Sequence, residues 1–469
     1  MPKKFYITTT TPYVNGEPHI GFAKEIIFAD VIARYHRQMG EEVRFNTGTD
    51  EHGQKIYEKA LEMGKAPQAY VDELAPRFEA LKGPLNLSFT DFSRTSSDRH
   101  KKAAQELWRR CDANGYIYKA KQKIKYCVGC ELEKTDSELE HGRCPIHLDR
   151  DLETREEENY FFKFSAFQDK LIALYNNAEH FVVPDFRLEE IKKFVSEGLR
   201  DFSISRLKSK MSWGVPVPGD DEHVMFVWFD ALVIYISPLG WPDQADFGGW
   251  WPGMQVCGKD NLRQQTAIWQ AMLMAAGLPN STQVAVLGFI TSGGTKMSKS
   301  LGNVIDPIAM VAKYGTDALR YFLMREITSF EDGDFTEAVM QTRYTGDLAN
   351  NLGNLVSRVA TLKSKIKSQK SNLDSVVTQK IETTKNEYRK ALNDFKFHEA
   401  LARLWELYTF ANGYINEKAP WKTNDAQAVA SISYLLQESA VLLEPFLPAT
   451  AQKIRSGSPG ILFPRLILA

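Results

Sequence analysis

The feature that most constrains this chain is its opening. A strand-like run from Phe5 to Thr11 passes through Pro12-Tyr13-Val14-Asn15-Gly16 into a helical pattern with Ile27, Val31, Ile32 and Tyr35 on one face. A strand that feeds a helix through a short Pro/Gly loop is the first unit of an open α/β sheet. A second β-rich stretch, Glu42 to Thr47, ends in Gly48-Thr49-Asp50-Glu51-His52-Gly53. That places polar side chains just past the carboxyl end of a strand, where ligands gather in parallel sheets. The alternation lapses from about 116 to 212 and resumes near Val224 to Ile236. It continues at Met254 to Cys257, the helical Gln264 to Ala276 and the apolar Gln283 to Leu287. The expected fold is an α/β doubly wound parallel (Rossmann-like) domain split by an insertion. Beyond about 340, Phe397, Leu401, Leu404, Tyr408, Ala411 and Ile415 recur at helical spacing, so the chain is expected to end in an all-α domain. The boundaries expected are 1–115 and 213–288 for the α/β halves, 116–212 for the insertion, 289–340 for a linking region and 341–469 for the helices.

A chain of 469 residues, 43% hydrophobic and 25% charged, can bury several cores. Its 58 basic and 59 acidic residues leave a net charge of -1, which excludes a global basic footprint; any RNA contact must come from local patches. Met1-Pro2-Lys3-Lys4 runs straight into the first strand without an apolar leader, so a cytoplasmic protein with no membrane contact is expected. The five cysteines are not a disulfide framework: Cys111 and Cys257 stand alone and the other three cluster. Cys127-Val128-Gly129-Cys130 and Cys144-Pro145-Ile146-His147 have the spacing of a single tetrahedral Zn²⁺ site, with His141 as an alternative to His147. Three thiolates and an imidazole close the shell, so the metal is expected to be structural, contributing on the order of 10 kcal/mol to folding.

Two segments point to phosphate. Pro18-His19-Ile20-Gly21-Phe22 lies where a helix begins, so free backbone N–H groups and the helix dipole are expected to favour an anion there, although a histidine in that place also serves as a cap. Lys296-Met297-Ser298-Lys299-Ser300 follows Gly293-Gly294 and offers two ammonium groups on a flexible loop. In the helical region Asn350, Asn354 and Arg358 recur every four residues and share a face able to read bases in a single-stranded loop. The lysine-rich 363–372 stretch reads as a solvated helix end or loop and not as a binding motif.

With these motifs in this order the sequence resembles the class I aminoacyl-tRNA synthetases, whose signatures have the forms His-Ile-Gly-His and Lys-Met-Ser-Lys-Ser. Tyr13-Val14-Asn15-Gly16, the Gly48 to Gly53 run, Val227-Trp228-Phe229-Asp230-Ala231 and Gly258-Lys259-Asp260 look specifically like the methionyl-tRNA synthetase family, over essentially the whole chain. The resemblance implies formation of methionyl-adenylate from L-methionine and Mg²⁺-ATP, then transfer to tRNA(Met). It implies catalytic roles for His19, Lys296 and Lys299, and ATP contacts from these and from Gly21, Phe22, Gly258 and Asp260. Thr11, Tyr13, Asp50, Arg206, Trp228, Ala231, Tyr235, Asn261, Gln265 and Trp269 match the family's methionine positions, with Asp50 toward the ammonium group. Pro420 and Trp421 join Asn350, Asn354 and Arg358 at the anticodon positions, the tryptophan stacking on a base.

Four positions depart from the family pattern, one of them His147, which stands where many relatives carry a fourth cysteine. Phe22 replaces the second signature histidine, leaving a donor to be supplied by a helix-start N–H or, more remotely, by His36 or His52. Asn261 and Gln265 stand where relatives carry an apolar residue and a histidine. No further module follows Ala469, so a monomer is expected. Competing readings are a related synthetase for leucine, isoleucine, valine or cysteine, and a catalytically silent RNA-binding relative. The first three usually carry a larger editing insertion, and the cysteine enzyme would place zinc ligands in the catalytic core.

Overall fold

The computed structural model describes residues 2–129, 132–134, 139–297, 302–366, 372–457 and 460–466. They form two compact units. The first comprises residues 1–17, 39–80 and 89–286, and the second 18–38, 81–88 and 287–469.

The first unit is built on a six-stranded sheet. Its strands are β1 (Lys4–Thr9), β2 (Glu42–Thr49), β3 (Asp91–Arg94), β4 (Val182–Val183), β5 (Met254–Gly258) and β6 (Gln283–Leu287), in the spatial order β3-β2-β1-β5-β6-β4. β1 pairs in parallel with β2 and β5, β2 with β3, and β6 with β4. The aromatic and β-branched residues of β1 suit a pleated, enclosed surface, and Tyr6 to Thr9 are all buried. The sequence order departs to both sides of β1, which makes the β1–β5 boundary the switch point of an open sheet.

Inside this unit the long strands Ile117–Cys127 and Glu153–Phe162 form an antiparallel ladder from Ile117↔Phe162 to Tyr126↔Glu153, with Cys127 at its far end. The stretch Val224 to Ile236 does not resume the parallel sheet as expected. Asp220–Met225 is the middle strand of a separate antiparallel sheet, and Val227–Ala231 is helical. Leu232 to Ile236 are all buried in an aromatic core, so their hydrophobicity reports enclosure and not strand pairing.

The second unit contains helix α1 (Ile20–Gln38), and thirteen of its first fourteen residues are buried. The stripe read from sequence lies on the helix Phe397–Lys418, with Phe397, Leu401, Leu404, Tyr408, Ala411 and Ile415 all buried. Phe28 of α1 packs on Phe397 at 4.5 Å between ring centroids, and Phe397 on Phe446 at 5.6 Å. Among the described residues no helix is long and apolar enough to cross a membrane.

Candidate active site

In the first unit, backbone pairing continues past the ends of β1 and β2. The Asp50 N–H donates to the Pro12 carbonyl at 3.0 Å, and the Val14 N–H donates to the Asp50 carbonyl at 3.3 Å. Tyr13 and Asp50 therefore sit side by side at the carboxyl edge of the sheet, with Asp50 3% exposed and Thr11 and Tyr13 half-buried.

The loop after Asp50 is fixed by buried charge. Glu51, fully buried, accepts from Arg94 Nε at 2.6 Å and Thr49 Oγ1 at 2.6 Å, while its own N–H donates to Thr95 Oγ1 at 2.8 Å. His52 Nδ1 lies 2.6 Å from Asp230 Oδ2, and His100 Nε2 lies 2.7 Å from Asp230 Oδ1. Burial alone would raise the Asp230 carboxyl. The charge of His52, with hydrogen bonds from both histidines, outweighs burial and holds it well below the usual carboxylate range. Arg94, His100 and this role of Asp230 are missed by sequence reasoning. The acidic and imidazole residues are visible there, but their pairing spans 130 to 178 residues.

The aromatic positions converge on one core. Trp228 is half-buried and packs against two hydrophobic clusters, Ala231 is 5% exposed, and Tyr235 lies edge-on to Trp269 at 5.9 Å. Trp269 itself is fully buried, braced by Trp251 at 6.2 Å, so it backs the aromatic wall from inside the core. The buried indole N–H groups of Trp228 and Trp269 have no hydrogen-bond partner among the described residues.

Gln265 is buried within a π-helical turn, Gln264–Ile268, that widens the backbone ring. Side chains take up the displaced carbonyls: Gln270 Nε2 donates to Gln265 O at 2.8 Å and Tyr175 Oη to Thr266 O at 2.7 Å. The Gln265 amide donates to the Tyr235 hydroxyl and accepts from Gln255 Nε2, so a neutral amide relay ties Tyr235 to β5. Asn261 is half-buried and donates to Asp260 Oδ1 at 3.2 Å; Asp260 is exposed and Gly258 half-buried at the end of β5. Arg206 is 3% exposed. Its Nη1 donates to Ser203 Oγ at 2.6 Å and Ser205 O at 2.8 Å, and its guanidinium lies 3.8 Å from the Phe226 ring centroid.

In the second unit the two signature segments meet. A Cβ on Gly21 would lie 3.9 Å from Met297 Cε, and the Ile20 N–H donates to the Ile305 carbonyl at 3.0 Å. His19 is exposed and caps α1: its Nδ1 accepts from the Gly21 N–H at 3.1 Å, which in the neutral ring puts the proton on Nε2. The expectation of free N–H groups at this helix start is thereby corrected. Those of Ile20 and Gly21 are already engaged, because the chain beyond the lysine loop returns alongside α1. Phe22 is 8% exposed. Lys299 and the side chain of Lys296 lie outside the described residues.

The cysteine cluster belongs to the first unit. Cys127 Sγ and Cys144 Sγ lie 3.9 and 4.0 Å from His147 Nδ1, and all three donor atoms fall within 4.8 Å of one another. Tetrahedral zinc bonds would set sulfur and nitrogen about 3.6 Å apart, so the three donors fit a zinc ion after a small contraction. Gly129 permits this closeness, since a Cβ there would come 2.3 Å from the His147 ring. His141 is not part of the cluster among the described residues, and Cys130 lies outside them.

In the helical part of the second unit, Asn350 and Asn354 are exposed, and Arg358 Nη2 donates to Asn416 Oδ1 at 2.7 Å. The Arg358 guanidinium sits 5.5 Å from the ring centroid of Trp421, which is 50% exposed, while Pro420 is buried beneath it.

Comparison with known proteins agrees along the whole chain. The family model for class I (M) tRNA synthetases matches residues 5–153 and 138–360, and that for the anticodon-binding domain of tRNA ligase matches 374–461. The chain is 43% identical to a methionine–tRNA ligase of Thermosynechococcus vestitus, over 97% of this chain and 90% of the relative. It is 41% identical to one of Thermotoga maritima, over 96% and 74%. A solved Mycobacterium tuberculosis methionyl-tRNA synthetase in complex with methionyl-adenylate superposes with a TM-score of 0.92 at 34% identity, covering 96% of this chain and 93% of that one.

Proposed function

We infer the reaction from one premise: the chain belongs to the class I tRNA synthetases, within the methionine family. It activates L-methionine with ATP and transfers the aminoacyl group to the 3' end of tRNA(Met). The methionine carboxylate attacks the α-phosphorus of ATP, the bond to pyrophosphate breaks, and methionyl-adenylate forms. A ribose hydroxyl of the tRNA then attacks the acyl carbon and AMP leaves.

The chemistry needs positioning and charge stabilisation and no covalent intermediate on the protein. His19 donates from Nε2, and Lys296 and Lys299 supply ammonium groups, to the charge that builds on the transferred phosphate and departing pyrophosphate. Phe22 offers no side-chain donor, so its contribution to ATP is limited to its backbone and ring, beside Gly21. Gly258 and Asp260 hold the ribose, and Mg²⁺ enters with ATP as part of the substrate.

Asp50 receives the ammonium group of methionine, and Arg206 supports it. Thr11, Tyr13, Trp228, Ala231, Tyr235, Asn261, Gln265 and Trp269 shape the thioether pocket, aromatic faces suiting a polarizable sulfur. Cys127, Cys130, Cys144 and His147 hold a structural Zn²⁺ that stabilises the knuckle and takes no part in the reaction. Asn350, Asn354, Arg358, Pro420 and Trp421 read the anticodon. The same reading makes the protein a cytoplasmic monomer.

The observation that carries the reading is the approach of Met297, in the lysine loop, to Gly21, in the histidine signature, across 276 residues of sequence. Its test is exchange of labelled pyrophosphate into ATP by the purified chain. Methionine is expected to drive exchange while leucine, isoleucine, valine and cysteine do not. Exchange driven by another of these amino acids, or by none, would overturn the assignment.

A further inference from the structure

The core stripe of α1 contains a residue that packing alone does not explain. Ile20, Ile27, Phe28 and Val31 face inward with Lys24, one turn from the helix start, and Lys24 is 2% exposed. A buried ammonium group is costly unless something is gained from it. Burial pushes the Lys24 amine down to about 7, with Asp332 pulling it back. Lys24 lies two residues from Phe22, and residues two apart point to different sides of a helix, so Lys24 does not stand in for a donor at position 22.

Its partner is informative. Lys24 Nζ donates to the Gly288 carbonyl at 3.1 Å. Gly288 is the root of the hairpin formed by Ile290–Ser292 and Thr295–Lys296, which leads directly into Met297 and the lysine loop. The other side of this segment is laced to residues 329–335. The Phe289 N–H donates to Asp332 Oδ1 at 2.9 Å, Ile290 to Ser292 run parallel to Gly333 to Phe335, and Asp334 Oδ1 accepts from the Gly294 N–H at 2.8 Å. Position 288 must be glycine, because a Cβ would fall 2.0 Å from the Glu331 carbonyl oxygen. The hairpin root is therefore held from two sides, by residues 329–335 on one and by Lys24 on the other. Among the described residues helix α1 touches this segment through Lys24 at its root and through Gly21 beside Met297 at its far end.

We propose that Lys24 is a positioning residue for adenylate formation, gripping the Gly288 carbonyl from α1 so that the hairpin delivers the lysine loop in register with the histidine signature. The proposal rests on the assignment of amino acid activation made above. It assigns Lys24 no contact with substrate: it acts through the hairpin on Lys296 and Lys299.

The test is methionine-dependent ATP–pyrophosphate exchange by the full chain, wild type beside Lys24→Met, which keeps the side-chain volume and removes the donor. Exchange by the wild type tests the assignment itself; only the comparison tests Lys24. For the variant, kcat/KM for ATP is expected to fall about tenfold or more while the KM for methionine stays unchanged. Its unfolding temperature at pH 7 is expected to hold or rise, because a buried amine has been removed. Amide hydrogen exchange of residues 289–292 should quicken while that of α1 does not. If Lys24→Met does not accumulate folded, Lys24→Gln takes its place with the same readouts. Exchange kinetics within twofold of wild type, unchanged protection of the hairpin, or a joint loss of ATP and methionine parameters with lowered stability would each overturn the proposal.

Discussion

Arg320 is a fully buried charge in the second unit, and replacing it by methionine tests how α1 is held. Its guanidinium is fully buried and makes four hydrogen bonds: Nε to Phe446 O at 2.7 Å, Nη1 to Leu85 O at 3.1 Å, and Nη2 to Asp30 Oδ2 at 2.8 Å and to Pro445 O at 2.9 Å. Asp30, also fully buried, keeps Arg34 Nε at 2.8 Å and both the N–H and hydroxyl of Ser88 at 2.6 and 2.7 Å. Stranding a buried charge costs about 3–5 kcal/mol, and the partners Asp30 retains put this pair near 3. Three carbonyls losing a donor add about 1 kcal/mol each, less where water enters, for a total of about 4–6 kcal/mol. That is comparable with the whole stability of many domains.

Burial would raise the Asp30 carboxyl, but Arg320 and Arg34 hold it below the usual carboxylate range. The pair's contribution is therefore present above about pH 4 and lost as the pH falls through the folded value. The assay is amide hydrogen exchange of α1, which reads the free energy of its opening, in Arg320→Met, Asp30→Asn and the double variant. The double variant should lose less than the sum of the singles by about 1–3 kcal/mol. A loss under about 1 kcal/mol for Arg320→Met, or strict additivity, would refute the reasoning.

Three further outcomes are expected. Asp230→Asn should destabilise the protein by about 3–5 kcal/mol in urea titrations. Because the folded carboxyl titrates below its ordinary value, the gap from wild type should persist above about pH 4 and narrow as the pH falls; a constant gap would count against the pairing. Trp421→Ala should leave pyrophosphate exchange intact and weaken tRNA charging by about 1–3 kcal/mol in kcat/KM, and equal loss of both activities would argue against a base-stacking role. Chelation should release one zinc ion per chain and lower the unfolding temperature, and metal-free protein of unaltered stability would reject the structural site.

The elements that sequence makes legible are those whose signal is local. β1 and β2 follow from runs of aromatic and β-branched residues, and Phe397–Lys418 from an uninterrupted stripe. The resemblance supplied the proposed substrate positions, because residues such as Tyr13 and Asp50 mark the sheet edge by their neighbours in sequence. What stays hidden depends on partners far along the chain. The run Leu232 to Ile236 is as apolar as a strand, yet it folds as a short helical turn inside an aromatic core, and only the tertiary surroundings decide between the two. Lys24 and Asp30 look like ordinary polar breaks in an amphipathic helix until Gly288 and Arg320, 264 and 290 residues away, are brought against them. His19 was legible both as cap and as phosphate donor. The cap geometry makes these compatible, since accepting at Nδ1 leaves the proton on Nε2.

The measurement that bears most directly on the whole account is a crystal structure with methionine and a non-hydrolysable ATP analogue bound. Nε2 of His19 and Nζ of Lys299 should both lie about 3 Å from oxygens of the same triphosphate. A nucleotide held by one of these segments while the other faces a separate cavity would contradict it.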